Sequence, residues 1–220
     1  MMDCQLDTIV NDVRMVLDEN LPDMSGLAGF TDQDNITMLI KSVLGDAIKH
    51  IYLVADEQFL EPGSVEGKVT DSDVKRMEGG KVRWIDVTLN KDTLRVLSAT
   101  ATGWKVPVTD FIAQSDSRYP MLFNAYATGT QSRPKAALIP GNPMTVQLFG
   151  CTTNAEGDVA YQVSAVCQPS VVNDIISIAS GCYRGVVYYT AGLVLLSQRE
   201  EHADNLMQMG LSEVGAGSSQ

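Results

Sequence analysis

At 220 residues, 45% of them hydrophobic and with a mean hydropathy near zero, the chain is sized for one globular domain or for a helical unit carrying an insertion. Two histidines (His50, His202) and four widely spaced cysteines (Cys4, Cys151, Cys167, Cys182), with no CxxC, give no basis for a metal or cofactor site, and the thiols read as reduced ones of a cytosolic protein. The formal charge of −11 and the lack of a basic patch with interleaved aromatics argue against tight binding to DNA.

The charge is unevenly placed. Residues 1–80 hold 16 acidic and 6 basic side chains, residues 81–169 hold 6 and 8, and residues 170–220 hold 5 and 2. Acidic surfaces repel DNA, which suits a conduit it slides through; ordinary solubility of an acidic protein explains the same excess.

Met1–Cys4 has neither a basic stretch nor an apolar core, so no secretory signal is expected. Leu6, Ile9, Val10, Val13 and Leu17 then follow helical spacing, and Pro22 predicts that this helix stops near Asn20. After a loop, Pro22–Phe30, the run Thr31-Asp32-Gln33-Asp34 has the make-up of a helix start. Ile36, Leu39, Ile40, Val43, Leu44, Ala47, Ile48 and Ile51 carry the stripe onward. Glu61-Pro62-Gly63 ends the helical part. Residues 61–80 are set apart as a polar excursion, and Ser64–Gly80 reads either as an ordered excursion or as a mobile loop.

Five or six β runs are predicted next, Val82–Leu89, Thr93–Thr100, Lys105–Ile112, Ala136–Leu138, Met144–Phe149 and Ala160–Cys167, separated by turn residues. The last two read as a hairpin. The module looks too short for a sandwich with its own large core, so a small antiparallel sheet or partial barrel leaning on helices is expected. From Pro169 the pattern turns helical again, through Val172, Ile175, Ile176, Ala179 and Cys182, then Val186, Tyr189, Leu193 and Leu196. The apolar run Gly185–Leu196 is far short of the roughly 20 residues that span a bilayer, so a buried helix and no membrane contact are expected. Gly181, Gly185 and Gly192 each weaken a helix by about 1 kcal/mol, a cost consistent with close approach to another helix. A break at Ser197–Arg199 and a further amphipathic segment, Glu200–Val214, complete the chain before a disordered tail, residues 215–220. The predicted fold class is α+β: a helical bundle from residues 1–60 and 168–214, with an antiparallel β module inserted at residues 81–167.

No catalytic constellation stands out. Neither histidine has a nucleophile at a meaningful spacing, there is no GxSxG elbow, and Thr102-Gly103-Trp104 and Thr128-Gly129-Thr130 match no phosphate-binding loop. Carboxylate pairs such as Asp18/Glu19, Asp56/Glu57 and Asp71/Asp73 are too many for any one to be singled out as acid and base. Trp84 and Trp104 sit in or beside strands, where tryptophan packs over a sheet; Trp104 is also a candidate exposed anchor.

Asp92-Thr93-Leu94-Arg95-Val96-Leu97-Ser98 followed by Gly103-Trp104-Lys105-Val106-Pro107-Val108 resembles the strand pair of tailed-phage head–tail adaptor proteins. Ser117-Arg118-Tyr119-Pro120, Thr128-Gly129-Thr130 with Arg133-Pro134-Lys135-Ala136-Ala137-Leu138, and the close from Tyr188–Leu196 through Glu200–Leu206 fit the same order. Together they cover about residues 81–214, and the chain resembles a connector ring protein of podoviruses, crAss-like gut phages among them. The resemblance implies a dodecameric homo-oligomeric ring joining portal to tail and other ring proteins, located in the virion after assembly in the host cytoplasm, with DNA passing unbound. Some adaptors of this class are credited with peptidoglycan hydrolysis, but no residue here carries that activity over. Candidate interface residues are Trp104, the small residues Gly181, Gly185, Gly192, Ala191 and Ala203, and the apolar set Leu206, Met207, Met209 and Leu211. The alternatives are a cytosolic binding module whose β insertion grips a ligand or peptide, and a cell-wall hydrolase.

Overall fold

The computed structural model describes residues 1–20, 33–198 and 202–216, so the expected loop Pro22–Phe30, the helix-start residues Thr31 and Asp32, and the last four residues of the predicted tail lie outside the described residues. In chain order the elements are β1 (Met2–Gln5), α1 (Leu6–Asn20), α2 (Gln33–Val54), β2 (Gly63–Thr70), β3 (Lys75–Met77), β4 (Val82–Thr88), β5 (Thr93–Ala101), β6 (Phe111–Ala113), β7 (Lys135–Ile139), β8 (Thr145–Phe149), β9 (Asp158–Cys167), β10 (Val171–Val172), β11 (Ile175–Ile178), α3 (Tyr183–Ser197) and α4 (Ala203–Glu213). The fold is α+β. It divides into two compact units, a terminal one of Met1–Glu61 with Gln168–Gln220 and an inserted one of Pro62–Cys167.

In the terminal unit the two long stripes face inward: Ile9, Val10, Val13 and Leu17 of α1 and Ile40, Leu44, Ala47, Ile48 and Ile51 of α2 are buried. The apolar run of α3 is buried around most of its circumference, because α1, α2 and α4 all pack against it. Its one buried hydroxyl, Thr190 Oγ1, donates to the carbonyl of Val186 at 2.6 Å, which removes the cost of burying a lone polar group. Tyr52, on α2, is fully buried, and its hydroxyl oxygen accepts the Ala179 N–H at 2.7 Å.

One predicted helical stretch is not helical. Val172, Ile175, Ile176 and Ala179 do fall at helical spacing, yet β10 and β11 occupy this segment, and α3 starts only at Tyr183. Asn173 and Asp174 both have positive φ (52° and 60°), so they close a two-residue hairpin, for which Asn and Asp are well suited. β11 then pairs with β1, Met2 opposite Ile178 and Gln5 opposite Ile175, which ties the two chain ends together. Gly215 and Ala216, expected in the tail, instead belong to the end of α4. Gly215 takes φ +78°, its N–H bonds the Ser212 carbonyl and the Ala216 N–H bonds Leu211, a left-handed cap that closes α4.

The inserted unit holds two sheets, β2-β9-β5 and β3-β4-β8-β7-β6. The segment expected as a polar excursion supplies two of these strands: β2 pairs with β9 over its full length and β3 pairs with β4. Its alternation of exposed Ser64, Glu66, Lys68 and Thr70 with half-buried Val65, Gly67 and Val69 is a strand period. The predicted β8–β9 hairpin does not form. β8 lies between β4 and β7, and β9 between β2 and β5, so the two runs belong to different sheets. Lys105–Ile112 is mostly not a strand; Val108 makes an isolated bridge to Ala99, and β6 covers only Phe111–Ala113. The module is not wholly antiparallel either, because β6 runs parallel to β7.

Nor does the module lack its own core. Ile85, Val87, Val146 and Leu148 from one sheet and Ala99, Ala101, Val159 and Val163 from the other form a single buried cluster. The opposite face of the five-stranded sheet carries Val82, Trp84, Ala137 and Phe149, covered by Leu122, Tyr119 and Phe123 from the segment after β6. Trp84 stacks on Phe149 with ring centres 5.9 Å apart and meets Phe123 edge-on at 5.2 Å. Strands β4 and β8 thus bury apolar side chains on both faces, Val82, Trp84 and Phe149 on one and Ile85, Val87, Val146 and Leu148 on the other.

Candidate functional site

The glycines singled out in α3 are used within the chain. A β-carbon on Gly185 would lie 2.9 Å from the Gly210 carbonyl oxygen and 2.7 Å from Val214, and one on Gly192 would lie 2.9 Å from the Met207 nitrogen. The helix they admit is α4 of the same chain. Gly181 is in a turn before α3, where a side chain would meet the backbone of Phe59 at 3.0 Å. Ala191 and Ala203 are buried as well.

Of the apolar set on α4, Leu206 is fully buried, Met207 and Leu211 are half-buried, and Met209 alone is exposed. α4 therefore belongs to the packing of the terminal unit. Trp104 is half-buried against the main core of the inserted unit, and its indole N–H is enclosed without a hydrogen-bond partner among the described residues. It packs over the sheet and does not project as an anchor.

The exposed apolar side chains of the inserted unit gather elsewhere. A cleft of about 570 Å³ is lined by Val106, Pro107, Ile112 and Met121, with Arg118, Arg133 and Lys135 among its polar walls. Val106 and Met121 are both half or more exposed. Three sequence features build it. Pro120 opens a short turn, Pro120–Phe123, that turns Leu122 into the core and Met121 outward. Asn124 Oδ1 accepts the Tyr126 N–H at 2.9 Å, a local turn that leaves Tyr126 97% exposed. The Thr130–Arg133 bridge then aims the chain into β7.

The three cations differ in freedom. Arg118 is clamped by Asp116, Nη2 to Oδ2 at 2.8 Å, with Asp110 at 3.8 Å, and this pairing holds the Asp116 carboxyl below its usual range. Lys135 Nζ donates to the Ala127 carbonyl at 2.5 Å. The exposed Arg133 side chain has no partner among the described residues. An apolar floor with a cationic rim and a fully exposed tyrosine one residue from its wall is the make-up of a protein-contact site, in which aromatics and arginine dominate. Sequence reading overlooked Tyr126; its signal was an Asn two residues ahead of an aromatic in a loop bounded by Pro and Gly.

Burial pushes the Cys182 thiol up to about 11, and burial, followed by Asp3 and Asp12, raises Cys4, so both are poor nucleophiles. Tyr183 donates to Asp12 Oδ2 at 2.5 Å, and burial together with that carboxylate raises its hydroxyl well above the usual value. His50 stacks on Tyr189 with ring centres 4.7 Å apart. Among the described residues no group of three or more His, Cys, Asp or Glu side chains is placed to hold a metal ion, and no helix is long and apolar enough to cross a membrane.

No protein-family model matches the chain, and no curated protein matches it significantly.

Proposed function

We propose that this chain is a structural subunit of a phage head-to-tail connector, a ring protein of the virion that joins portal to tail and lets DNA pass without binding it. The observation that carries the reading is the layout: chain ends that fold together, sealed by the β1–β11 ladder, with an all-β unit inserted between them in the sequence. That is the arrangement implied by the resemblance of residues 81–214 to head–tail adaptors. The charge supports it. Residues 1–61 and 168–220 hold 17 acidic and 5 basic side chains, whereas residues 62–167 hold 10 and 11. The terminal unit therefore repels a polyphosphate, while the near-neutral inserted unit offers an arginine-bearing cleft that suits a protein partner.

The test is assembly on a portal. Mixed with the portal ring of its own phage, the chain is expected to add as a ring visible by negative stain and to shift the complex by many multiples of 23.8 kDa. Tyr126→Ala and Arg133→Glu are expected to weaken that addition without lowering thermal stability. A chain that never associates with portal or tail rings under any salt condition sinks the reading.

A further inference from the structure

We infer that the outer edge of β2 is a self-complementary strand through which two copies of this chain pair across a two-fold axis, extending the three-stranded sheet into a continuous six-stranded one. Among the described residues β2 is the edge of its sheet, bonded to β9 on one side only, and it is eight residues long without a bulge. An edge of that length is a template for a further strand.

The ladder fixes which backbone groups are free. The Asp71 N–H bonds the Gly157 carbonyl at 3.1 Å, continuing the register in which Thr70 sits opposite Asp158. Alternate residues counted back from Asp71, namely Val69, Gly67 and Val65, therefore spend their N–H and C=O on β9. Ser64, Glu66 and Lys68 aim theirs outward.

The order of side chains along that edge decides the occupant. Ser64-Val65-Glu66-Gly67-Lys68-Val69-Thr70 reads as a chemical palindrome about Gly67. With two β2 strands antiparallel and the axis at Gly67, Glu66 of each copy stands opposite Lys68 of the other, in the hydrogen-bonded class of pair. Val65 stands opposite Val69, and Ser64 opposite Thr70. Each position thus meets its chemical complement, and the opposite charges face one another twice. A shift of register by one would put each side chain on the wrong face, and an in-register parallel partner would set Glu66 beside Glu66 and Lys68 beside Lys68.

Gly67 fits the axis. In the non-hydrogen-bonded pair formed there the two α-carbons lie about 4.5 Å apart, the closest approach in a sheet. On the core side Tyr161, its partner on β9, lies with its hydroxyl end where a Gly67 side chain would be. Glu66 and Lys68 are exposed and only lightly held: Glu66 accepts from Ser64 and Gln162, and Lys68 lies 3.6 Å from Glu156. Neighbours in a cyclic ring are not related by a two-fold axis, so this contact is one between free copies and does not depend on the connector reading.

Charge reversal tests it. Single-strand contacts fall below the roughly 1,200 Å² of stable complexes, so sedimentation should be followed to about 0.5 mM. The wild-type chain is expected to pass from 23.8 kDa to twice that mass. Glu66→Lys alone, or Lys68→Glu alone, places like charges opposite one another in both symmetric pairs and should weaken the dimer about tenfold, with the melting temperature unchanged. Mixing the two variants makes every pair opposite again and should restore a heterodimer, as should the doubly swapped chain with itself. A wild type that stays monomeric throughout overturns the inference and makes the two charges guards of the edge; so does a dimer that both single variants retain, or a mixture that fails to recover it.

Discussion

Gly185 and Gly210 face one another where α3 and α4 cross, each placed so that a methyl group on either would come within 2.9 Å of the other's carbonyl oxygen. The two backbones are closer than any residue with a side chain permits. Gly185→Ala or Gly210→Ala should therefore cost about 1–3 kcal/mol through overpacking, despite alanine's better helix propensity. For a chain of this size that lowers the melting temperature by about 2–4 °C per kcal/mol. Gly45, in α2, has open space around its α-carbon, so Gly45→Ala should raise stability by about 0.5–1 kcal/mol. Thermal denaturation of the variants checks the opposite signs.

The C-terminal segment should prove to be part of the core. Leu206 and Val214 are fully buried, and the Val214 carbonyl accepts the Asp56 N–H at 3.0 Å. Truncation after Gln198 should give a large fall in melting temperature, and Leu206→Ala alone should cost about 2–5 kcal/mol. Met209→Ala, at the exposed position, should change stability by no more than about 0.5 kcal/mol. A truncated chain with unaltered melting would show that α4 contributes nothing to the fold.

Tyr52 links α2 to the corner before α3. Tyr52→Phe removes the acceptor of the Ala179 N–H and leaves that donor buried, at a cost of about 1–3 kcal/mol at neutral pH. The penalty is expected in denaturant titrations as a lower midpoint with an unchanged slope.

The same residue gives an alkaline dependence. Burial pushes the Tyr52 hydroxyl from 10.0 to about 12. Between these values the unfolded chain has released the proton and the folded chain retains it, so stability is intact below pH 10 and falls as pH rises from 10 to about 12. The slope from one such group is at most about 1.4 kcal/mol per pH unit. Tyr52→Phe should flatten the loss measured by urea titration over this window. Equal slopes in the two proteins would mean that Tyr52 does not titrate there.

Local pattern accounts for much of this fold. The stripes of α1 and α2, the apolar run of α3, the runs that became β4, β5, β7, β8 and β9, and the α+β class all follow from periods that each segment carries alone. The tertiary structure decided partners and faces. Val172–Cys182 has helical spacing, yet Asn173 and Asp174 turn it into a hairpin, and β11 finds its ladder in β1 at the far end of the chain. β8 and β9 are neighbours in sequence but lie in different sheets, because each buries its apolar side against the shared core from an opposite layer. Gly185 and Gly192 marked a close helix contact correctly, but only folding showed that α4 fills it, leaving a cleft beside Tyr126 as the exposed apolar ground of the inserted unit. Periodicity records which side of a segment avoids water; which surface covers that side is settled by contacts between residues far apart in the chain.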